Sequence, residues 1–139
     1  MTIQEKKEYL KQYLAIVHNI QTIELQIEEV RNMMTSIGGI DYSKDRVQTS
    51  PKDSMLENYA KLDSLERKLI HKINERQARL KDIIECIDRL VNKEEQDVLT
   101  YRYIKGFEWE DIAQCMYRSK RSVLYIHGDA LKNFAIETK

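Results

Sequence analysis

Residues 118–127 read RSKRSVLYIH, placing three cations, two hydroxyls, a phenol and an imidazole side by side. Apolar residues recur around them at helical spacing: Val123, Ile126, Ala130, Leu131 and Phe134. Ser119 stands where a helix N-cap belongs. The helix so predicted runs from Lys120 to about Phe134 and opens on Lys120 and Arg121, against its own dipole. Each cation there costs a few tenths of a kcal/mol. Contact with a polyanion offsets that cost. A helix that enters the DNA major groove leads with its N-terminal end, so Lys120 and Arg121 would meet phosphates and base edges. A basic turn on an ordinary helical bundle is the alternative reading of the same residues.

The preceding residues supply elements to position such a helix. Asn92 can cap a helix over Lys93–Lys105, with Glu94 and Glu95 in its first turn and Val98, Leu99, Tyr101 and Tyr103 on its apolar side. Gly106 falls at its C′ position. A short helix, about Glu108–Met116, would bury Trp109, Ile112 and Met116, and the small Ala113 allows another helix to cross closely. Tyr117-Arg118 makes the turn. Two short helices joined in this way form a helix-turn-helix pattern. Glu108 is a weak cap, and a left-handed Tyr117 would cost about 1 kcal/mol. Gly128, inside the last helix, lowers its stability by about 1 kcal/mol relative to Ala and is expected to permit close packing.

Further upstream the pattern is simpler. Leu10, Tyr13, Val17, Ile20, Ile23, Ile27, Val30, Met34 and Ile37 follow one another at spacings of three and four. Such a seam is close to a coiled-coil repeat. It stops at Gly38-Gly39, and a polar connector over 38–52 follows, in which Ser50-Pro51 supplies an N-cap and an N1 proline. A second stripe then takes Met55, Tyr59, Leu62, Leu65, Leu69, Ile73, Leu80, Ile84, Ile87 and Leu90, with Arg76 as an interruption. Two long helices on a short connector pack most simply as an antiparallel hairpin. The predicted fold class is all-α: a long N-terminal antiparallel helical hairpin, coiled-coil-like, over 1–91, followed by a small helix-turn-helix domain over 92–139.

Composition limits the alternatives. Four glycines and one proline in 139 residues leave few turns for an all-β fold. Net charge is zero, with 23 Lys/Arg against 23 Asp/Glu, so no global argument favours nucleic acid. The distribution is uneven: Tyr117–Lys132 carries Arg118, Lys120, Arg121 and Lys132 against Asp129 alone. Cys86 and Cys115 lack the spacing of a metal or redox pair and read as two buried or half-buried thiols. His18 and His71 are isolated. No nucleophile–base set, phosphate loop or HExxH motif is present, so neither an enzyme nor a cofactor or metal is expected. The N-terminus has no apolar signal region, and no run approaches membrane-spanning length. A cytoplasmic protein is therefore expected.

The stretch EEQDVLTYRYIKGFEWEDIAQCMYRSKRSVLYIHGDAL resembles region 4 of the sigma-70 family and its relatives. Val98, Leu99, Arg102, Tyr103, Gly106, Trp109, Ile112, Ala113, Met116, Ser119, Val123, Ile126, Ala130 and Leu131 fill that pattern. The layout of the whole chain, including VQTSP in the connector, resembles the small phage late-gene transcription regulators of the RinA/ArpU kind. The resemblance implies a phage or prophage activator, in a bacterial host, that binds promoter-proximal double-stranded DNA. It also implies an exposed reading face of Lys120, Arg121, Ser122, Leu124, Tyr125 and His127. Arg121 and Ser122 would face base edges, Lys120 and Arg118 phosphates, and Tyr125 a phosphate or a thymine methyl. Arg102 matches a support arginine that either reaches phosphate or braces the fold. Leu124 stands where that family often has a cation.

Three functions remain in play. The first is a sequence-specific DNA-binding transcription regulator, most simply a dimer through its long helices. The second is a sigma-like interaction module that binds RNA polymerase and touches DNA weakly, which the neutral C-terminal domain and Leu124 favour. The third is a subunit of small-terminase type, which would assemble as a ring on packaging DNA.

Overall fold

The computed structural model describes residues 1–38 and 51–136. Among the described residues all regular structure is helical, with no strand. Helix α1 spans Ile3–Gly38 and α2 spans Pro51–Asp88. Helix α3, Lys93–Leu99, continues into a π-helical turn over Thr100–Ile104. Helix α4 covers Trp109–Met116 and α5 covers Lys120–Asn133. The expected connector over 38–52, with its Ser50 cap, lies largely outside the described residues.

The chain divides into two compact units: His18–Asn74, and Met1–Val17 together with Glu75–Lys139. The second unit does not begin at residue 92. Its larger core unites Leu10 of α1 and Ile83, Cys86, Ile87 and Leu90 of and beyond α2 with Leu99, Tyr103, Ala130, Leu131 and Phe134. A satellite cluster joins Val98, Ile112, Ala113 and Val123, flanked by Tyr101, Phe107, Trp109, Met116 and Ile126. With the first turns of α1 and the last turns of α2 in the larger core, Leu99, Tyr103 and Leu131 are buried to 4% exposure or less.

In the unit His18–Asn74, Ile20, Ile23, Ile27 and Val30 of α1 are buried, while Leu62, Leu65, Leu69 and Ile73 of α2 are half-buried. Arg31 Nη2 donates to Glu66 Oε1 at 3.2 Å. The α2 stripe departs from the expected one. Tyr59 and Ile84 are exposed, whereas Asn58, Ile83 and Cys86 are buried. Arg76 and Arg79 do not interrupt it; both are half-buried, and the Arg79 guanidinium lies 5.5 Å from the Tyr9 ring centroid. The expected register returns at Ile87 and Leu90, both buried. On α1, Ile16 is buried and Val17 only half-buried.

The start of α3 is capped by a side chain. Asn92 Oδ1 accepts from the backbone N–H groups of Glu94 and Glu95 at 2.8 and 3.2 Å, capping α3. The α3 helix stops sooner than expected, and the Lys105 N–H reaches Thr100 O instead, at 3.0 Å, closing a wider turn. Gly106 follows at φ +75°, where only glycine sits without strain. Gly128 does not serve close packing: a Cβ there would meet nothing within 4 Å.

Candidate nucleic-acid interface

Helix α4 begins without a side-chain cap at Glu108 and carries Glu110 and Asp111 in its first turn. It ends at Tyr117, whose φ of 56° and ψ of 42° are left-handed. The Arg118 N–H then reaches Ala113 O at 3.0 Å and the Tyr117 N–H reaches Gln114 O at 3.3 Å. This pair of bonds satisfies carbonyls that α4 would otherwise leave open. The chain turns, and Ser119 Oγ accepts from Ser122 N–H at 3.1 Å to cap α5.

Helix α5 is held along its length. Val123, His127, Ala130 and Leu131 face inward. Glu95 is buried and accepts from Asn133 Nδ2 at 3.0 and 3.3 Å, tying the end of α5 to the start of α3. Lys6 of α1 donates to the carbonyls of Leu131 and Lys132 at 2.9 and 3.3 Å. A cation on these last carbonyls suits the negative end of the α5 dipole. The outward face of α5 is thereby fixed against a rigid support.

The expected site residues separate into three groups. Arg121, Leu124 and Tyr125 are exposed on the first half of α5, with Leu124 42% and Tyr125 66% accessible. The Arg121 guanidinium lies 6.0 Å from the Tyr125 ring centroid. A second group is exposed but engaged. Arg118 grips Glu94 with both Nε and Nη2, the latter at 2.9 Å, and donates through Nη1 to Ser122 Oγ at 3.2 Å. Lys120 Nζ meets Glu110 Oε1 at 2.9 Å. The Lys120 hydrogen bond is the main reason the Glu110 carboxyl titrates below its ordinary range. Ser119 is used as the cap.

The third group lies in the fold. His127, expected on the exposed face, is 7% accessible. Its Nε2 shares a 2.8 Å hydrogen bond with the Tyr103 hydroxyl, and its ring meets Trp109 edge-on at 4.7 Å. Burial, reinforced by Lys7 and Arg102, lowers its pKa to about 4. It is a buried residue and does not lie on the exposed face expected for it. Burial also raises the Tyr103 pKa. Arg102, expected either to reach phosphate or to brace the fold, makes bracing contacts: its guanidinium stacks 4.4 Å over Trp109, and Nη1 donates to Phe107 O at 3.0 Å. Its planar face lies on an aromatic ring, one donor is on a carbonyl, and Glu108 Oε2 lies 3.9 Å from Nη1, all contacts within the fold.

The remaining chemistry is sparse. Cys86 is buried and Cys115 exposed, both as free thiols. No group of His, Cys, Asp and Glu among the described residues is placed to hold a metal ion. No helix among them is long and apolar enough to cross a membrane. No family model matches the chain, and no curated protein or solved structure matches it either.

Proposed function

We propose that this protein is a sequence-specific DNA-binding transcription regulator that reads the major groove with the exposed face of α5. The observation that supports this most directly is Arg121 beside Leu124 and Tyr125, exposed at the leading half of a helix whose other faces are anchored. An arginine at that end can reach guanine O6 and N7 with two bonds, and an apolar neighbour suits a thymine methyl. On this reading α4, the Tyr117 turn and α5 form a helix-turn-helix within residues 92–139, and α1 and α2 form an antiparallel hairpin that spaces or dimerises two readers. The likeness to sigma region 4 and to the RinA/ArpU regulators supports late-gene activation in a phage or prophage. The test is selection of bound duplexes from a random library, followed by titration of the winning sequence. Arg121→Ala should weaken that duplex by about 1–3 kcal/mol and relax the preference at one position. An unchanged affinity would remove α5 as the reading element.

One observation favours a second reading. Arg118 and Lys120 are occupied by carboxylates, and Leu124 and Tyr125 give the face an apolar character. Such a surface also fits a protein partner, for which RNA polymerase is the candidate. Co-purification with polymerase, without binding to free duplex, selects that alternative.

A further inference from the structure

Two of the three cations around the start of α5, Arg118 and Lys120, are paired with carboxylates in the free protein. Arg118 closes a two-pronged pair on Glu94, and Lys120 closes a single bond on Glu110. Glu94 lies in the first turn of α3 and Glu110 in the first turn of α4. Each carboxylate thus sits at a positive helix end that stabilises its charge whether or not the cation stays. Both pairs are open to solvent, with side chains 42% and 42% accessible in one and 53% and 65% in the other. Ion pairs this exposed are exchangeable, each shifting an equilibrium by a factor of about five at most. Arg121, in contrast, makes no ion pair among the described residues and rests near the Tyr125 ring.

We propose that Glu94 and Glu110 are internal competitors for DNA phosphate: they occupy Arg118 and Lys120 in the free protein and set its affinity by the need to be displaced. The inference rests on the DNA reading of α5. A phosphate oxygen offers the same acceptor chemistry as a carboxylate oxygen, so it can take over the guanidinium fork of Arg118 and the ammonium of Lys120 without moving the backbone. The exchange swaps one ion pair for another and liberates the carboxylate to water at a helix N-terminus. The base-reading Arg121 needs no such exchange. Two acidic side chains outside the reading helix therefore become affinity-determining residues.

The experiment titrates the full chain against a labelled random-sequence duplex about three helical turns long, because non-specific binding isolates the phosphate contribution. Glu94→Gln and Glu110→Gln keep size and helix geometry, and circular dichroism confirms that each variant is folded. Each should tighten binding about twofold to fivefold. The gain from Glu94→Gln should vanish when Arg118→Gln is also present, and that from Glu110→Gln when Lys120→Gln is present. A gain of equal size in both backgrounds reflects net charge alone and overturns the inference. No gain, with wild-type binding intact, overturns it too and leaves the DNA reading standing. Absence of duplex binding by the wild type at low salt removes the DNA reading itself, and the inference with it.

Discussion

Residues His18–Asn74 and the unit made of Met1–Val17 and Glu75–Lys139 close their apolar surfaces by different means. In the first, α1 presents buried Ile20, Ile23, Ile27 and Val30, but the apolar row of α2 stays half-buried, and Leu25, Met33, Leu56, Tyr59 and Ile70 are exposed. In the second, segments from every helix converge. The largest fully buried side chains, Phe134, Leu10, Ile83, Leu99, Ile112, Leu131, Val98 and Val123, all belong to it. A helix stripe needs cover over an arc of roughly 100°. One partner helix covers part of that arc, while several helices arriving from different directions cover it entirely. Residues far apart in the chain therefore make the tighter unit.

The largest effect should come from breaking that convergence. Leu10 is fully buried against the C-terminal helices although it lies on the long N-terminal helix. Leu10→Ala should cost about 2–5 kcal/mol in urea unfolding. Leu69→Ala, in the half-buried row, should cost about 1 kcal/mol. Amide protection should likewise persist longest around the fully buried Leu10, Leu99 and Leu131. Equal costs at Leu10 and Leu69 would mean that the N-terminal turns do not share the C-terminal core.

A smaller, pH-dependent effect should be confined to the same unit. The unfolded chain takes up a proton on His127 near pH 6.5, whereas the folded chain does so only near 4. Acid therefore favours unfolding across that window. Stability from this residue is complete above about pH 6.5 and is lost as pH falls towards 4. After allowance for solvent screening, the loss is on the order of 2 kcal/mol. His127→Gln should flatten the pH dependence of the melting temperature between those limits. His18 and His71, in the other unit, are exposed. An acid-induced loss of exchange protection in His18–Asn74, with the C-terminal helices unaffected, would contradict this assignment.

What could be read from the sequence followed from short-range rules. The Asn92 cap, the glycine stop at Gly106, the left-handed Tyr117 and the Ser119 cap each depend on a few adjacent residues, and each is found. The burial of His127 was also available: it lies four residues from both Val123 and Leu131 on one helix face. The family pattern implies an outward position for it instead. The pairs Arg118–Glu94 and Lys120–Glu110, 24 and 10 residues apart, carry no local signal. The same is true of Lys6 on the α5 carbonyls and of Glu95 with Asn133. These contacts exist only once the helices have packed. The α2 stripe follows the expected spacing at Leu62, Leu65, Leu69, Ile73, Ile87 and Leu90 and departs from it at Tyr59 and Ile84, where Asn58 and Ile83 are buried instead.

The smallest expected effects sharpen the same contrast by strengthening the tighter unit. Tyr117 is 96% exposed, so its side chain contributes little packing to set against its left-handed backbone. Tyr117→Gly should recover about 1 kcal/mol of strain, less the extra entropy the unfolded chain gains with glycine. Gly128 is the converse case. It lies inside α5 with ordinary helical geometry, and an added methyl would meet open space. Gly128→Ala should therefore add about 0.5–1 kcal/mol to urea stability through reduced unfolded-state entropy alone. Neither change touches the His18–Asn74 unit, so amide exchange should slow in α4 and α5 and stay the same in residues 18–36. Destabilisation by Gly128→Ala would mean that another surface closes over α5 at that point, and that its outward face is less open than the packing of this unit implies.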